Sequence, residues 1–383
     1  MINKRILSTI HHASKCLVIV SVMLMLISTG CTRVESPKTP IPISETPVEE
    51  PITPVAEMAN PTKNKYDAII QAYLEQIPEE TLTQTPVSEE KQSILVNRMV
   101  QLYKEKASTK EIYELYLEGI RQLSPKQGDK FVAYAISGMN NNIYDDSMDL
   151  EKIAYDPIFF ETFFEEADRV QYKYIELSRD PKRIMNQEVR EIVEAAKDQG
   201  YYVASSEGML YYLVDFTVFA KYRNYNTATM ATLIEILAFD TLDPMTSDAA
   251  LIVSGSTLAA RTYYIEKKLE EYPSSPDMAP LAMRYKEYMF MLLYGVNNTP
   301  TFSYETNRLT DETMSLFEEV KMLEDSYMSE SVKEFRRIVE ANDGIIDEST
   351  RDKTKEIFVK IDKRYGITDD GYYDFEPWMS DTP

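Results

Sequence analysis

Residues 65–78 read KYDAIIQAYLEQIP, and their spacing predicts the fold class. Tyr66, Ile69, Ile70, Tyr73, Leu74 and Ile77 recur at three- and four-residue intervals, one face of an α-helix, and Pro78 ends it. The pattern repeats along the chain. Ser88 opens a helix burying Ile94, Leu95, Met99, Leu102 and Tyr103, and Thr109 caps one carrying Ile112, Tyr113, Tyr116 and Ile120. A fourth helix spans 126–137 and ends in Gly138-Met139-Asn140-Asn141-Asn142. Asp156-Pro157 starts a long one to Leu177, and another covers 183–198.

Farther on, Ser205 or Ser206 caps EGMLYYLVDFTVFAKY, and Asn226 caps a helix to Phe239. Thr246 or Ser247 caps one to Glu271, and others cover 277–294, 310–325, 329–342 and 350–364. No stretch carries a convincing strand pattern. Glycine is scarce, 11 in 383 residues, near 3% where about 7% is usual. Sheet-rich and two-lobed solute-binding folds need glycine at many turns. The expectation is therefore all-α: an irregular multi-helix bundle or α-solenoid-like array of antiparallel helices after a disordered tether.

That tether occupies 31–63, where seven prolines (37, 40, 42, 47, 51, 54 and 61) are mixed with Thr, Glu and Ser. The helical domain is expected over 64–383, with room for a subdivision near 140–156. Upstream, 1–30 opens with Lys4 and Arg5 and continues into an apolar run, Cys16 to Ile27. This is the charged start and short apolar core of an export signal, too short for the roughly 20 residues of a membrane-spanning helix. The run ends Leu26-Ile27-Ser28-Thr29-Gly30-Cys31, which resembles the lipobox of bacterial lipoproteins, with Ser28 where that family usually carries Leu or Val. The resemblance implies cleavage after Gly30, lipidation of Cys31, and an anchor on the extracytoplasmic face of the cell membrane. Two or more acyl chains give stable anchoring.

Composition restricts what the body can do. Removing Lys4, Arg5 and Lys15 from the 41 cations leaves 38 against 63 acids, a net charge of −25 beyond Gly30. That excludes nucleic-acid binding through a basic stripe. Both histidines, His11 and His12, and Cys16 lie within 1–30, so 32–383 holds neither His nor Cys. Ser-His-Asp and Cys-His nucleophilic chemistry, most zinc and copper sites, and disulfides are thereby removed. No cofactor and no metal site is expected.

The segment Tyr264-Ile265-Glu266-Lys267-Lys268-Leu269-Glu270-Glu271-Tyr272-Pro273-Ser274-Ser275-Pro276, followed by Ala279, Ala282, Tyr285, Tyr288 and Leu292-Leu293-Tyr294-Gly295, resembles one helical hairpin of tetratricopeptide-type repeats in envelope lipoproteins. The resemblance covers about 260–295 and implies a protein-binding scaffold. The fixed repeat of about 34 residues that an array needs is missing.

With His and Cys absent, carboxylates, Tyr, Lys and hydroxyls remain for chemistry. Glu207, Tyr211 and Asp215 sit four residues apart, so on a helix they share one face. They line a cleft, or else Glu207 complements the helix dipole and Asp215 pairs with a core cation such as Arg261, Arg284 or Lys286. Asn297 and Asn298, between Gly295 and Pro300, suit a tight turn that offers amides to a ligand or locks two helices. Asn140–Asn142 with Asp145, Asp146, Asp149 and Glu151 form an oxygen-rich stretch lacking EF-hand spacing, read as a solvated acidic loop. The tail from Asp369 to Trp378 mixes acids with aromatics, and either docks on the body or waits for a partner.

The function these features favour is a lipid-anchored extracytoplasmic scaffold that binds another envelope protein or a surface polysaccharide, with the membrane engaged through Cys31. The rival is an enzyme acting on cell-wall glycan, resembling helical lytic transglycosylases, with Glu207 as its acid/base. A solute-binding lipoprotein is a third reading, disfavoured by the low glycine content.

Overall fold

Asn60-Pro61, read from sequence as the end of the tether, begins the first helix of the fold. In the computed structural model the Asn60 side chain accepts from the amides of Thr62 and Lys63, and Pro61 takes the first helical position. The structure describes residues 60–81, 85–154, 156–206, 208–272 and 278–367, together with Phe375 and Met379. The expected export signal, Cys31 and all but the last residues of the expected tether lie outside them.

Among the described residues there are fourteen α-helices and three small antiparallel hairpins, an all-α architecture. The helices are α1 (Pro61–Leu74), α2 (Glu89–Glu105), α3 (Thr109–Gly119), α4 (Pro125–Ala154), α5 (Pro157–Arg169), α6 (Ile175–Arg179) and α7 (Gln187–Lys197). After the hairpin of β1 (Tyr201–Ser206) and β2 (Met209–Val214) come α8 (Phe216–Lys221) and α9 (Ala228–Leu242). Next are β3 (Thr246–Ser247), β4 (Ala250–Leu251), α10 (Gly255–Glu271) and α11 (Ala279–Tyr294). The chain closes with β5 (Gly295–Val296), β6 (Thr299–Pro300), α12 (Asp311–Lys321), α13 (Tyr327–Glu340) and α14 (Glu348–Tyr365).

Helix α1 buries Tyr66, Ile70 and Tyr73 against α10, as its spacing predicts. In the first part of the chain α2 and α3 pack on α4, and the long α4 also carries the β1–β2 hairpin. In the last part α10 packs on α11, and α12, α13 and α14 pack in sequence. One continuous core joins the two parts, with Tyr116, Phe131, Phe163 and Phe219 in one and Phe239, Tyr285, Phe317 and Phe335 in the other. Each such side chain contributes roughly 1.5–3 kcal/mol on leaving water.

Several sequence expectations are overturned. Helix α4 runs without a break through Gly138 and the three asparagines, where an end was expected. A Cβ on Gly138 would stand 2.8 Å from Ile112 Cδ1, so this glycine serves the approach of α3 rather than a turn. The asparagines are helical too, and Asn142 donates to the Ala107 carbonyl just beyond α2. Asp146, expected in a solvated loop, accepts from Thr109 Oγ1 at 2.7 Å.

The segment read as the helix EGMLYYLVDFTVFAKY is instead strand β2 followed by α8. β1 pairs with β2 from Tyr201↔Val214 to Ser206↔Met209, and Gly208 stands just before β2 at φ +77°. The hairpin is buried on both faces. Tyr201, Val203, Leu210 and Val214 join the main core, while Tyr202 and Ala204 pack with Ile175 against Tyr211 and Leu213. A strand covered on both sides shows no alternation of polar and apolar residues, so its period is hidden.

Caps shift as well. Ser108, not Thr109, caps α3 in a reciprocal box with Glu111. Thr227, not Asn226, precedes α9, and Ser254, not Thr246 or Ser247, caps α10. The helix from Pro157 stops at Arg169, with Gln171 and Tyr172 in the left-handed region.

Candidate functional site

The sequence-derived candidates separate on the structure. Glu207 lies outside the described residues. Asp215 does not share a helix face with Tyr211: it caps α8, accepting from the Thr217 amide at 2.9 Å and the Thr217 hydroxyl at 2.5 Å. Burial raises its pKa above the ordinary carboxylate range, and the bonds from Thr217 oppose that. None of the cations considered as its partner takes that role, since Arg261 bonds Asp240, Arg284 bonds Glu287 and Lys286 bonds Asp362. Asp215 is thus a buried helix cap.

The other candidates come together. The tip of the β3–β4 hairpin, Asp248-Ala249, has both residues at positive φ, +47° and +55°. A two-residue hairpin turn requires this backbone, and Asn-Gly would adopt it without strain. Alanine there costs about 1–2 kcal/mol. The β5–β6 hairpin holds the strained turn in place. Asn298 donates its amide to the Ala249 carbonyl at 2.9 Å and its side-chain Nδ2 to the Asp248 carbonyl at 2.5 Å. The Leu251 amide donates to Thr299 Oγ1 at 2.7 Å. Gly295 is what lets this hairpin fold back on α11, because at φ +74° a Cβ there would stand 2.2 Å from the Thr299 carbonyl oxygen.

The first hairpin joins the same place from the other side. Ser206, at the end of β1, donates its hydroxyl to the Asp248 carboxylate. The Tyr211 hydroxyl faces Ser206 and the Tyr174 hydroxyl faces Ser205, and both phenols are held above their ordinary pKa, first by burial. Tyr304 closes the far edge by donating to the Asn297 carbonyl at 2.8 Å. Three hairpin tips therefore meet around Asp248, and Tyr211, Asn297 and Asn298 all belong to that cluster. Sequence reasoning missed Asp248, Ser206, Tyr174 and Tyr304. The one sequence signal for Asp248 is its place in TSDAAL, which lacks the glycine that marks such a turn.

Two other concentrations of charge are structural. Arg261, fully buried, bonds Asp240 at 3.0 Å and the carbonyls of Phe239 and Asp243, and its guanidinium lies 4.4 Å from the Tyr73 ring centroid. It donates to carbonyls at the end of α9 and joins α1, α9 and α10. Glu266, also fully buried, accepts the Tyr285 hydroxyl and the first two amides of α13. A crevice of about 70 Å³ between Tyr66, Ile70, Ala260 and Tyr264 is far smaller than ordinary ligand pockets of roughly 300–1,000 Å³. No group of acidic residues with metal-binding geometry occurs among the described residues.

The α10–α11 pair packs side by side, and residues 273–277 between them lie outside the described residues. Trp378 does too. Phe375 is buried on the body, and Met379 accepts from Tyr134 and Ser137, so these two tail residues are docked. Comparison with protein families, with curated proteins and with solved structures finds no match for this chain.

Proposed function

We propose that this chain is a bacterial lipoprotein, cut after Gly30, lipidated at Cys31 and held on the extracytoplasmic face of the cell membrane. Its helical body is a binding domain that engages another component of the envelope, a protein or a surface polymer. The location rests on the sequence Leu26 to Cys31 and the apolar run before it. Among the described residues no helix is long and apolar enough to cross a membrane, so the lipid carries the membrane contact in this reading.

The observation that carries the binding role is the convergence of three hairpin tips in an otherwise helical chain. The two-residue strands of β3–β4 and β5–β6 bury little apolar surface, yet these hairpins are fixed to each other and to β1 by side-chain and backbone bonds and present Asp248, Asn297 and Asn298 to solvent. Rigid loops on a helical scaffold are where recognition residues concentrate.

Metabolic labelling with a palmitate analogue, followed by membrane fractionation, tests the anchor. The expected result is a labelled, membrane-bound wild type, and a Cys31→Ser variant that carries no label and leaves the mature membrane fraction. An unlabelled wild type, or a variant that fractionates unchanged, refutes the reading.

A further inference from the structure

We infer that the hairpin-tip face binds a neutral, hydroxyl-rich glycan chain; this rests on the body being a binding domain and names its ligand class. The residues of this face are linked by a chain of contacts. Tyr172 meets Tyr174 edge-on at 6.4 Å, and Tyr174 and Tyr211 face Ser205 and Ser206. Ser206 bonds Asp248, Asn298 bonds the Asp248 carbonyl, and Tyr304 bonds Asn297. An exposed ring thus stands at each end, Tyr172 at 52% and Tyr304 at 63% exposure, with polar atoms between them.

The polar atoms are available. Among the described residues, Ser206 bonds one oxygen of the Asp248 carboxylate and nothing bonds the other. Nothing among them bonds the Asn297 side chain or Asn298 Oδ1. Carboxylate and amide groups of this kind accept from and donate to sugar hydroxyls, and the apolar C–H face of a pyranose stacks on a tyrosine ring. The parts are also preorganised. The Tyr304 ring is pinned by its hydroxyl and by an edge contact to Phe302 at 5.5 Å, and the strained Asp248-Ala249 turn is held by Asn298. Fixing groups before binding lowers the entropy cost of association.

Charge narrows the class. Among the described residues no lysine or arginine forms an ion pair with Asp248, and the chain beyond Gly30 is strongly acidic. A phosphate-bearing or sulfated polymer meets repulsion here. A protein partner is the poorer fit because its interface needs a desolvated apolar centre, whereas Ser206, Asp248, Asn297 and Asn298 are polar and, among the described residues of these hairpins, Met209 and Ile252 alone expose large apolar side chains beside them.

The test uses the full mature chain in detergent micelles, applied to an array of neutral, phosphorylated and sulfated oligosaccharides, and in parallel to purified peptidoglycan by co-sedimentation. Retention is expected on neutral glycans, with affinity falling about fivefold in Tyr304→Ala and again in Tyr172→Ala, the worth of one aromatic contact each. Tyr172→Ala should leave the thermal midpoint at the wild-type value, and Tyr304→Ala should lower it by no more than a few degrees, since one hydrogen bond and one ring contact are lost. Ile94, which its spacing placed inward, is exposed on α2, and Ile94→Ala should bind unchanged. Retention on no neutral glycan, preference for the charged ones, or binding insensitive to both tyrosines overturns the inference. So does cross-linking from this face to a protein with no glycan bound. None of these readouts depends on the lipid, so failure here is separable from failure of the anchor.

Discussion

Replacing Glu266 by alanine should loosen one end of α13 and lower the stability of the whole chain. Glu266 lies on α10 with no exposed surface, and its carboxylate accepts the Tyr285 hydroxyl at 2.7 Å, the Tyr327 amide at 3.0 Å and the Met328 amide at 2.6 Å. The last two are the first donors of α13, which have no partner within their own helix. Alanine leaves three buried donors without an acceptor. Each costs roughly 1–3 kcal/mol, and relief of the buried charge returns part of it, for a net loss of about 3 kcal/mol. In a body of this size that is a fall in Tm of about 6 °C. Glutamine is the informative intermediate. Its one oxygen can serve Tyr285 and Met328, but its amide then faces the Tyr327 N–H, so about half the loss should remain.

The charge of Glu266 gives this prediction a pH signature. Burial raises the Glu266 pKa above the ordinary value, and the bonds from Tyr285 and Met328 oppose the shift. A carboxyl whose folded pKa exceeds its unfolded one favours folding most when protonated. That contribution is full below the unfolded pKa and is lost as pH rises through the folded one. Wild type should therefore lose more stability than Glu266→Gln as pH rises through that window. Thermal unfolding followed by circular dichroism, with amide exchange at residues 327–330, measures both effects. An alanine variant within about 1 kcal/mol of wild type, or α13 amides that exchange no faster, refutes the capping argument.

Other substitutions test other joints of the fold. Ala249→Gly relieves a left-handed alanine and should raise stability by about 1 kcal/mol; a variant no more stable than wild type in urea unfolding would remove the strain on which the turn argument stands. Arg261→Ala leaves the α9 carbonyls and two acidic side chains without their cation and should cost about 3 kcal/mol, read as a drop in Tm of several degrees. Ser108→Ala removes one half of the α3 capping box and should cost about 1 kcal/mol in the same measurement.

The sequence carried the helices well and, of the hairpins, only the tight turn at Asn297-Asn298, for identifiable reasons. Helix α1 was legible because one side of it meets solvent, so Tyr66, Ile70 and Tyr73 stand out from polar neighbours. Helix α9 was legible only as an apolar run, since it is buried nearly all round and shows almost no preferred face. The same loss of contrast defeats the reading of β1 and β2. Both faces are covered, and Met209 to Val214 followed by Phe216 to Lys221 mimic one helical stripe. The break in α4 was misplaced because Gly138 and three asparagines normally punctuate. Here the glycine admits Ile112, and Asn142 closes the end of a neighbouring helix. Tertiary partners decided both cases, and a single sequence does not display them.

The failures coincide with the candidate site for a physical reason. Where local preference and final structure agree, neighbouring contacts merely confirm the backbone, and the α10 and α14 caps at Ser254 and Asp347 are of this kind. Where they disagree, other groups must hold the backbone, as Asn298 holds Asp248-Ala249. Stability alone does not select that arrangement, because Asn-Gly at the same turn would fold more easily and would dispense with the restraint. A turn of Asp and Ala, held open by a second hairpin and bonded through its carboxylate to a third, keeps a charged oxygen fixed at the surface. Strain retained to fix a polar group where solvent reaches it is what the proposed binding role requires of this position. Asp248→Asn separates the two explanations: it leaves the fold intact, because asparagine also tolerates the left-handed backbone. If the carboxylate serves only the Ser206 bond, glycan retention stays at the wild-type level; if it meets the ligand, retention falls while Tm does not.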